Sequence, residues 1–185
     1  MVGVYKLRYL FLILASVLAL SACTTELQQL GPDGKPLPKR YDLASQDKAM
    51  VQFRVLDAIN ALRNSAGHPS VTLNAKLTAA AATHSRDMWL QNRPWHFGSD
   101  GSSPLDRVQR VGYEQLLIGE AISETFETEL ETIAAWMKKP NTRLVLLDPM
   151  AREIGFAWYQ EPSGKIWWTL VTGGAVLNQD AVKVE

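Results

Sequence analysis

Residues 153–172, EIGFAWYQEPSGKIWWTLVT, decide the fold class of this chain. Residues 153–159 and 165–172 are rich in aromatic and β-branched side chains, which predicts two strands. Residues 161–164, EPSG, supply the turn chemistry of a four-residue hairpin connection, and Gly173-Gly174 is expected to end the second strand. The bulky residues of the hairpin predict a packed sheet face: Trp158, Trp167 and Trp168.

Two helices are predicted before the hairpin. Residues 45–66 carry apolar residues at three-residue spacing, with Ser45 as the N-cap and Gly67 as the stop. The buried face predicted for this helix consists of Met50, Phe53, Leu56, Ile59 and Leu62. Asn74 is expected to cap a second helix that runs to about Gln91. Its apolar stripe is Leu77, Ala81, His84 and Met88.

The middle of the chain alternates between turns and short elements. Residues 95–104 are polar and turn-rich, and Ser103-Pro104 predicts the N-cap and first residue of a short helix ending at Gly112. Residues 116–122 are expected to be extended, and residues 126–137 to be helical before Pro140. The order of elements, with helices first and a hairpin last, predicts an α+β domain in which helices cover an antiparallel sheet.

The N-terminal 22 residues are typical of a secretory signal peptide. Lys6 and Arg8 precede a 12-residue apolar run, which spans only about 18 Å as a helix and is too short to cross a bilayer. The run closes on Leu20-Ser21-Ala22-Cys23, which resembles the lipobox of bacterial lipoproteins, where the cysteine is acylated and becomes the new N-terminus. A plain signal peptide is the alternative. Thr24, in place of an Asp, favours the outer membrane.

The predicted domains are therefore a signal peptide at 1–22, an acylated Cys23 with a flexible tether to residue 44, and a folded domain at 45–185. Gly31, Pro32, Gly34, Pro36 and Pro38 make the tether unsuited to a core. After removal of the signal peptide, 17 basic and 19 acidic residues remain. This balance gives no reason to expect nucleic-acid binding. Cys23 is the sole cysteine, so the domain must be stable without a disulfide.

A series of segments in order resembles one family. The segments that carry the resemblance are Leu62–Gly67, Leu73–Ala81, His84–Met88, Trp95–Phe97, Asp100–Pro104, Arg107–Val108, Gly112–Tyr113, Gly119–Glu120, Ala135–Trp136, Pro140, Arg143, Leu146–Pro149 and Glu153–Gly155. Their order and spacing are similar to the bacterial branch of the CAP superfamily, also called SCP-like. The resemblance implies an α-β-α sandwich with a small antiparallel sheet between helical layers.

The resemblance also implies a cleft lined by two His and two Glu, which hold a divalent metal in some members. His96 and Glu120 match the first His and the Glu of the Gly-Glu-Asn motif, although Ala121 replaces the Asn. Thr142 stands where the second His is expected. The second Glu has no firm counterpart, and Glu131 is a candidate for it.

Three chemical roles remain open at this cleft. A zinc site needs three protein ligands, for which His84 could join His96 and Glu120, but its place on an apolar stripe favours a hydrogen-bonded core histidine. Without metal, His96 and Glu120 could form an acid/base pair. The nearby hydroxyls could supply a nucleophile, although turn formation and helix capping explain them better: Ser99, Ser102 and Ser103.

These features favour a lipid-anchored envelope protein, facing the periplasm, that binds a lipid, peptide or envelope polymer around His96 and Glu120. Trp95, Phe97 and Tyr113 would supply the apolar part of such a cleft. One alternative is a hydrolase of peptide or envelope polymer that uses His96 and Glu120 as the acid/base pair. A second is a structural or assembly lipoprotein that acts through a protein partner.

Overall fold

The computed structural model of the protein describes residues 41–125 and 127–175. The predicted signal peptide, Cys23 and residues 24–40 of the tether lie outside the described residues. Tyr41 and Leu43, assigned to the tether from sequence, pack on the domain. Leu43 is buried and its amide donates to Gln160 Oε1 at 2.9 Å, while the Tyr41 hydroxyl donates to Glu129. The packed region therefore extends back to residue 41.

Five helices and four strands make up the described domain. In chain order they are α1 (Lys48–Ser65), β1 (Thr72–Leu73), α2 (Ala75–Gln91), α3 (Pro104–Arg110), β2 (Leu116–Thr125), α4 (Glu129–Lys138), α5 (Pro140–Leu147), β3 (Glu153–Gln160) and β4 (Ile166–Gly174). The strands lie in the order β1-β3-β4-β2, antiparallel except for the short parallel β1–β3 pair. No described helix is both long and apolar enough to cross a bilayer.

Helices cover both faces of the sheet, which confirms the predicted α-β-α sandwich. Neighbouring residues of a strand point to opposite faces, and Phe156 packs with α1, α4 and α5 whereas Ala157 packs with α2 and α3. Leu170 and Val171 divide between the two layers in the same way. The apolar core is thus two clusters separated by the sheet.

The predicted hairpin is present, and its tryptophans fill the core as expected. Trp167 and Trp168 are fully buried, and the Trp168 ring stacks on Phe156 at 5.5 Å between centroids. The second strand ends at Gly174, as the Gly173-Gly174 pair predicted, although it runs through both glycines instead of stopping at Thr172. A Cβ at Gly173 would lie 2.0 Å from the Tyr113 hydroxyl, so glycine is needed there for close packing.

The face predicted to be buried on the first helix is correct only in part, since Ile59 is buried and Leu56 and Leu62 are half-buried against the core. Met50 and Phe53 are 55% and 51% exposed, and the buried residues are Val51, Val55, Ile59 and Arg63. A step of three residues turns the helix by about 300°, so five such positions spread over about 240°. A four-residue step drifts by only about 40° and keeps one face. The N-cap is Asp47, whose carboxylate accepts from the amides of Ala49 and Met50, and not Ser45.

Buried Arg63 connects α1 to the end of α5 and to the residues that follow it. Its guanidinium donates to the carbonyls of Pro69, Leu146, Asp148 and Ala151 at 2.8–3.2 Å. Burial lowers the pKa of Arg63, but four carbonyl acceptors satisfy the charged form. Helix α5 was not predicted, because Pro140 was interpreted as a stop, whereas it occupies the first turn of a new helix.

Candidate functional site

The loop between α2 and α3 carries His96 and is held by hydrogen bonds to Asp87 of α2 and within the loop itself. The Asp87 carboxylate, on α2, accepts from the Ser99 amide at 2.7 Å and from the Ser99 hydroxyl at 2.6 Å. The Gly98 amide donates to the Ser102 carbonyl at 2.8 Å, which closes the turn that follows. These bonds fix the backbone that follows His96.

Helix α3 begins as the sequence predicts and brings an arginine into the core. Ser103 is the N-cap and forms a reciprocal capping box with Asp106, and Pro104 is in the first turn. Arg107 lies one turn further on, with its side chain 6% exposed. Its Nη1 donates to the carbonyls of His96 and Ser102, both at 3.0 Å.

Glu120 on β2 is the centre of a polar cluster that consists of His84, His96, Arg107 and Glu120. Its side chain is 2% exposed. His96 Nδ1 lies 2.9 Å from Glu120 Oε1, and Arg107 Nη2 donates to Glu120 Oε2 at 2.7 Å. His84 Nε2 lies 3.6 Å from Oε1. The structure thus brings together the two residues predicted for the site, His96 and Glu120, and adds a buried arginine.

The partners of Glu120 keep it ionised. Burial alone would raise the pKa of Glu120, but the His96 hydrogen bond, the His84 ring and the Arg107 guanidinium outweigh burial. The pKa of Glu120 therefore lies below its usual value. A buried carboxylate with a guanidinium on one oxygen and an imidazole on the other is a satisfied ion pair at neutral pH.

His84 is a hydrogen-bonded core histidine, the role that its apolar stripe favoured. The side chain is fully buried, and Nε2 lies 3.0 Å from the Trp95 carbonyl oxygen. Burial lowers the pKa of His84, an effect that the Glu120 carboxylate offsets only in part. Both groups facing Nε2 are acceptors, so the neutral ring carries its proton there. The other nitrogen, Nδ1, is buried without a hydrogen-bond partner among the described residues.

His96, unlike the buried His84, has a side chain that reaches the solvent. Its side chain is 51% exposed although Nδ1 faces the buried carboxylate. An ionised carboxylate only accepts, so Nδ1 carries a proton and the neutral ring keeps its lone pair on Nε2. The cluster therefore holds an imidazole in one orientation and one tautomer with its edge accessible.

The remaining residues considered from sequence have structural roles. The Thr142 hydroxyl donates to the carbonyls of Trp136 at 2.6 Å and Lys139 at 3.3 Å, where it joins α4 to α5. Glu131, the candidate for the second Glu, accepts from the amide and hydroxyl of Thr128 in the capping box of α4.

The three serines near His96 each pair with an aspartate. The Ser99 hydroxyl donates to Asp87, the Ser103 hydroxyl donates to Asp106 at 2.7 Å, and the Ser102 side chain bonds to Asp100. None of these bonds involves His96. The turn and capping roles that the sequence favoured for these serines are therefore their roles in the structure.

Sequence reasoning gave Arg107 no role, although its guanidinium forms a 2.7 Å hydrogen bond to Glu120 Oε2. A signal was present, because Arg107 lies four residues before the apolar Val111, the C-cap of this short helix, and so lies on the same side. An arginine on the apolar side of such a helix indicates a buried acceptor.

One end of the polar cluster reaches the surface, because the His96 side chain is 51% exposed whereas the side chains of Arg107 and Glu120 are buried. Three cavities in the described part of the chain, of 410, 520 and 660 Å³, are lined by other residues than His96 and Glu120. Arg107 contributes to the wall of the 520 Å³ cavity, between α2 and α3. The residue after His96, Phe97, is 47% exposed and adds an apolar ring to this part of the surface.

The polar cluster does not fit a zinc site. His84 points an N–H at the cluster, and Thr142 uses its hydroxyl on backbone carbonyls, which leaves His96 and Glu120 where zinc needs three protein ligands. In residues 41–125 and 127–175, no group of three His, Cys, Asp or Glu side chains is placed to hold a metal ion. A divalent ion about 5 Å from a guanidinium is also repelled by roughly 7 kcal/mol at an effective dielectric constant of about 20.

Known proteins share this sequence pattern and fold. Residues 56–172 match the Cysteine-rich secretory protein family, CAP. The uncharacterized protein YkwD of Bacillus subtilis (strain 168) is 29% identical over 114 residues, which are 62% of this chain and 44% of that protein. The match therefore spans less than half the length of this curated relative.

Two solved structures share the fold at low identity. An outer surface protein from Borrelia burgdorferi has a TM-score of 0.65 at 15% identity, covering 71% of this chain and 97% of that one. An extracellular protein containing a SCP domain from Bacillus anthracis str. Ames has a TM-score of 0.64 at 20% identity, covering 79% of this chain and 44% of that one. At these identities the likeness concerns the fold alone.

Proposed function

This chain belongs to the cysteine-rich secretory protein family, and from that premise we propose that it binds a ligand of the bacterial cell envelope. The proposed binding surface is the exposed edge of His96 with the aromatic side chains of its loop. The observation that carries the proposal is the pairing of a half-exposed His96 with a fully satisfied, buried Glu120.

The fixed orientation of His96 suits recognition of a hydrogen-bond donor. Its neutral Nε2 offers one acceptor to a ligand hydroxyl or amide, and the Glu120 contact removes the rotational freedom that binding would otherwise have to restrict. Beside it, Phe97 is 47% exposed and offers an apolar ring, 5.6 Å from the Trp95 ring, which the Arg93 guanidinium covers at 3.9 Å. A ligand with both a donor group and an apolar part matches this surface.

The exposure of His96 and Phe97 bears on the shape of the ligand. Small-molecule sites enclose most of their ligand, whereas the His96 side chain is 51% exposed and Phe97 is 47% exposed. An extended ligand that lies along the loop satisfies the same contacts without enclosure. We therefore favour a lipid chain, a peptide or a strand of envelope polymer.

A hydrolase remains the second candidate, because the Glu120–His96 contact is also the geometry of an oriented general base. His96 Nε2 would then activate a water for attack on a peptide or polymer. Covalent catalysis by the neighbouring serines has no support, since their hydroxyls pair with aspartates. If wild-type protein cleaves murein or a peptide library and His96→Ala does not, the hydrolase replaces the binding protein.

We also propose that Cys23 is acylated and anchors the protein to the outer membrane, with the domain in the periplasm. The support is the apolar run that closes on Leu20-Ser21-Ala22-Cys23 and the presence of Thr24 in place of Asp. Acylation would keep the domain within a tether length of the envelope components that it binds.

Native mass spectrometry of the full chain, extracted from its own membranes in mild detergent, tests ligand binding. We expect an adduct of lipid, peptide or polymer mass on wild-type protein that is lost in His96→Ala. His68→Ala is the matched control, because His68 lies in the loop after α1, outside the polar cluster. A bare wild-type mass, or an adduct that persists in His96→Ala, would contradict the proposal.

A further inference from the structure

A permanent positive charge occupies the position next to Glu120 where the family resemblance implies a metal. Arg107 Nη2 donates to Glu120 Oε2 at 2.7 Å, and both side chains are almost completely buried. The guanidinium does not lose its proton under any physiological condition. One carboxylate and one guanidinium already sum to zero, so an added divalent ion would leave two uncompensated charges in a buried site.

The same guanidinium also holds the backbone that carries His96. Its second nitrogen, Nη1, donates to the His96 carbonyl and to the Ser102 carbonyl, both at 3.0 Å. Arg107 therefore contacts the carboxylate partner of His96 and the peptide group of His96 at once. With Oε2 taken by Arg107, Glu120 presents Oε1 to His96 Nδ1 at 2.9 Å.

We propose that Arg107 takes the place of a divalent cation in this chain. It is the positioning residue that orients Glu120 and His96 without a metal. It neutralises Glu120, fixes which carboxylate oxygen faces His96, and ties the His96 backbone to the same point. The imidazole is thereby held as the Nδ1–H tautomer, with Nε2 directed to the ligand. This role is independent of the ligand that the surface takes.

Thr142 also indicates that the cluster in this chain is built without a metal. A metal site of the family would use a histidine at this position, whereas the Thr142 hydroxyl is directed to the Trp136 carbonyl at 2.6 Å. A threonine that bonds to the end of α4 stabilises the α4–α5 turn and offers no nitrogen ligand. The loss of that ligand and the presence of the buried guanidinium both make the cluster independent of metal.

Zinc titration of the full chain by calorimetry, without chelator, tests the metal-free claim directly. We expect wild-type protein to show no one-to-one site tighter than about 10 μM, and Arg107→Lys, which keeps the charge, to behave likewise. Arg107→Gln removes the repulsion and frees Glu120, so weak one-to-one zinc binding by His96 and Glu120 should become detectable in this variant. A one-to-one wild-type site that disappears in His96→Ala would overturn the proposal.

The tautomer of His96, read from long-range ¹H–¹⁵N NMR spectra, tests the positioning role. Wild type and Arg107→Lys should show the Nδ1–H form, and Arg107→Gln should show a mixture of both tautomers. An unchanged tautomer in folded Arg107→Gln would refute the positioning role. If Arg107→Gln does not fold, the wild-type zinc titration and the Arg107→Lys spectrum still decide the proposal, and neither requires the ligand.

Discussion

Removing both partners of the buried Glu120–Arg107 pair should destabilise the domain by less than the sum of the two single removals. Breaking a buried ion pair from one side costs about 3–5 kcal/mol, because the other charge stays buried without compensation. Arg107 also bonds two carbonyls, so we expect about 5 kcal/mol for Arg107→Met and about 3 kcal/mol for Glu120→Gln. Additivity would give about 8 kcal/mol for the double variant.

The double variant leaves neither charge buried without compensation, so the second substitution should add little to the cost of the first. Its total cost should therefore be about 5 kcal/mol, close to that of Arg107→Met alone. The predicted coupling between the two sites is then about 3 kcal/mol, at the upper end for residues in contact. Urea denaturation at pH 7 of wild type, both single variants and the double variant measures it, with Arg107→Lys included in case Arg107→Met is largely unfolded. Costs that add within about 0.5 kcal/mol would refute this description of the cluster.

Three further predictions concern pH, packing and export. Burial lowers the pKa of His84 below its unfolded value of about 6.5, so the unfolded chain binds more protons below that pH. Wild-type stability should therefore fall as the pH decreases from 7 to 5, and a smaller fall in His84→Gln would confirm the source, whereas an equal fall would exclude it. A Cβ at Gly155 would lie 2.1 Å from the Leu77 backbone carbon, so Gly155→Ala should cost at least about 3 kcal/mol by urea denaturation. Gly67→Ala, where φ is +76° and no atom lies within 4 Å of the added Cβ, should cost only about 1 kcal/mol, and similar values for both would contradict the close packing. Cys23→Ala should release the protein from the membrane fraction or leave an uncleaved signal peptide, and normal processing with full membrane retention would exclude the lipid anchor.

The elements that could be predicted from sequence are those whose ends are marked by capping or turn residues. Asn74 caps α2 through its side-chain oxygen, and Ser103-Pro104 starts α3, so both helices begin at the predicted residues. Helix α2 also presents its predicted face, because positions four and three residues apart stay on one side. The hairpin could also be predicted, because its turn and its two aromatic strands are adjacent in the sequence.

The features that were missed depend on contacts between distant residues. Pro140 both follows α4 and begins α5, and only packing decides that a second helix forms there. Strand β1 has two residues and exists because it pairs with β3, where Thr72 lies opposite Glu153. Arg107 was part of a matching motif, but its role became visible only when β2 placed Glu120 against it.

The measurement that tests the central claim most directly is photo-crosslinking in living cells from a photoreactive residue at position 97. Phe97 is exposed next to His96 in the proposed binding surface, whereas the control position, Leu144, is exposed on α5 in the other helical layer. We predict an ultraviolet-dependent adduct with an envelope lipid, peptide or polymer from position 97 that is absent from position 144 and lost in His96→Ala. No adduct at position 97, or equal adducts at both positions, would contradict the proposed binding function.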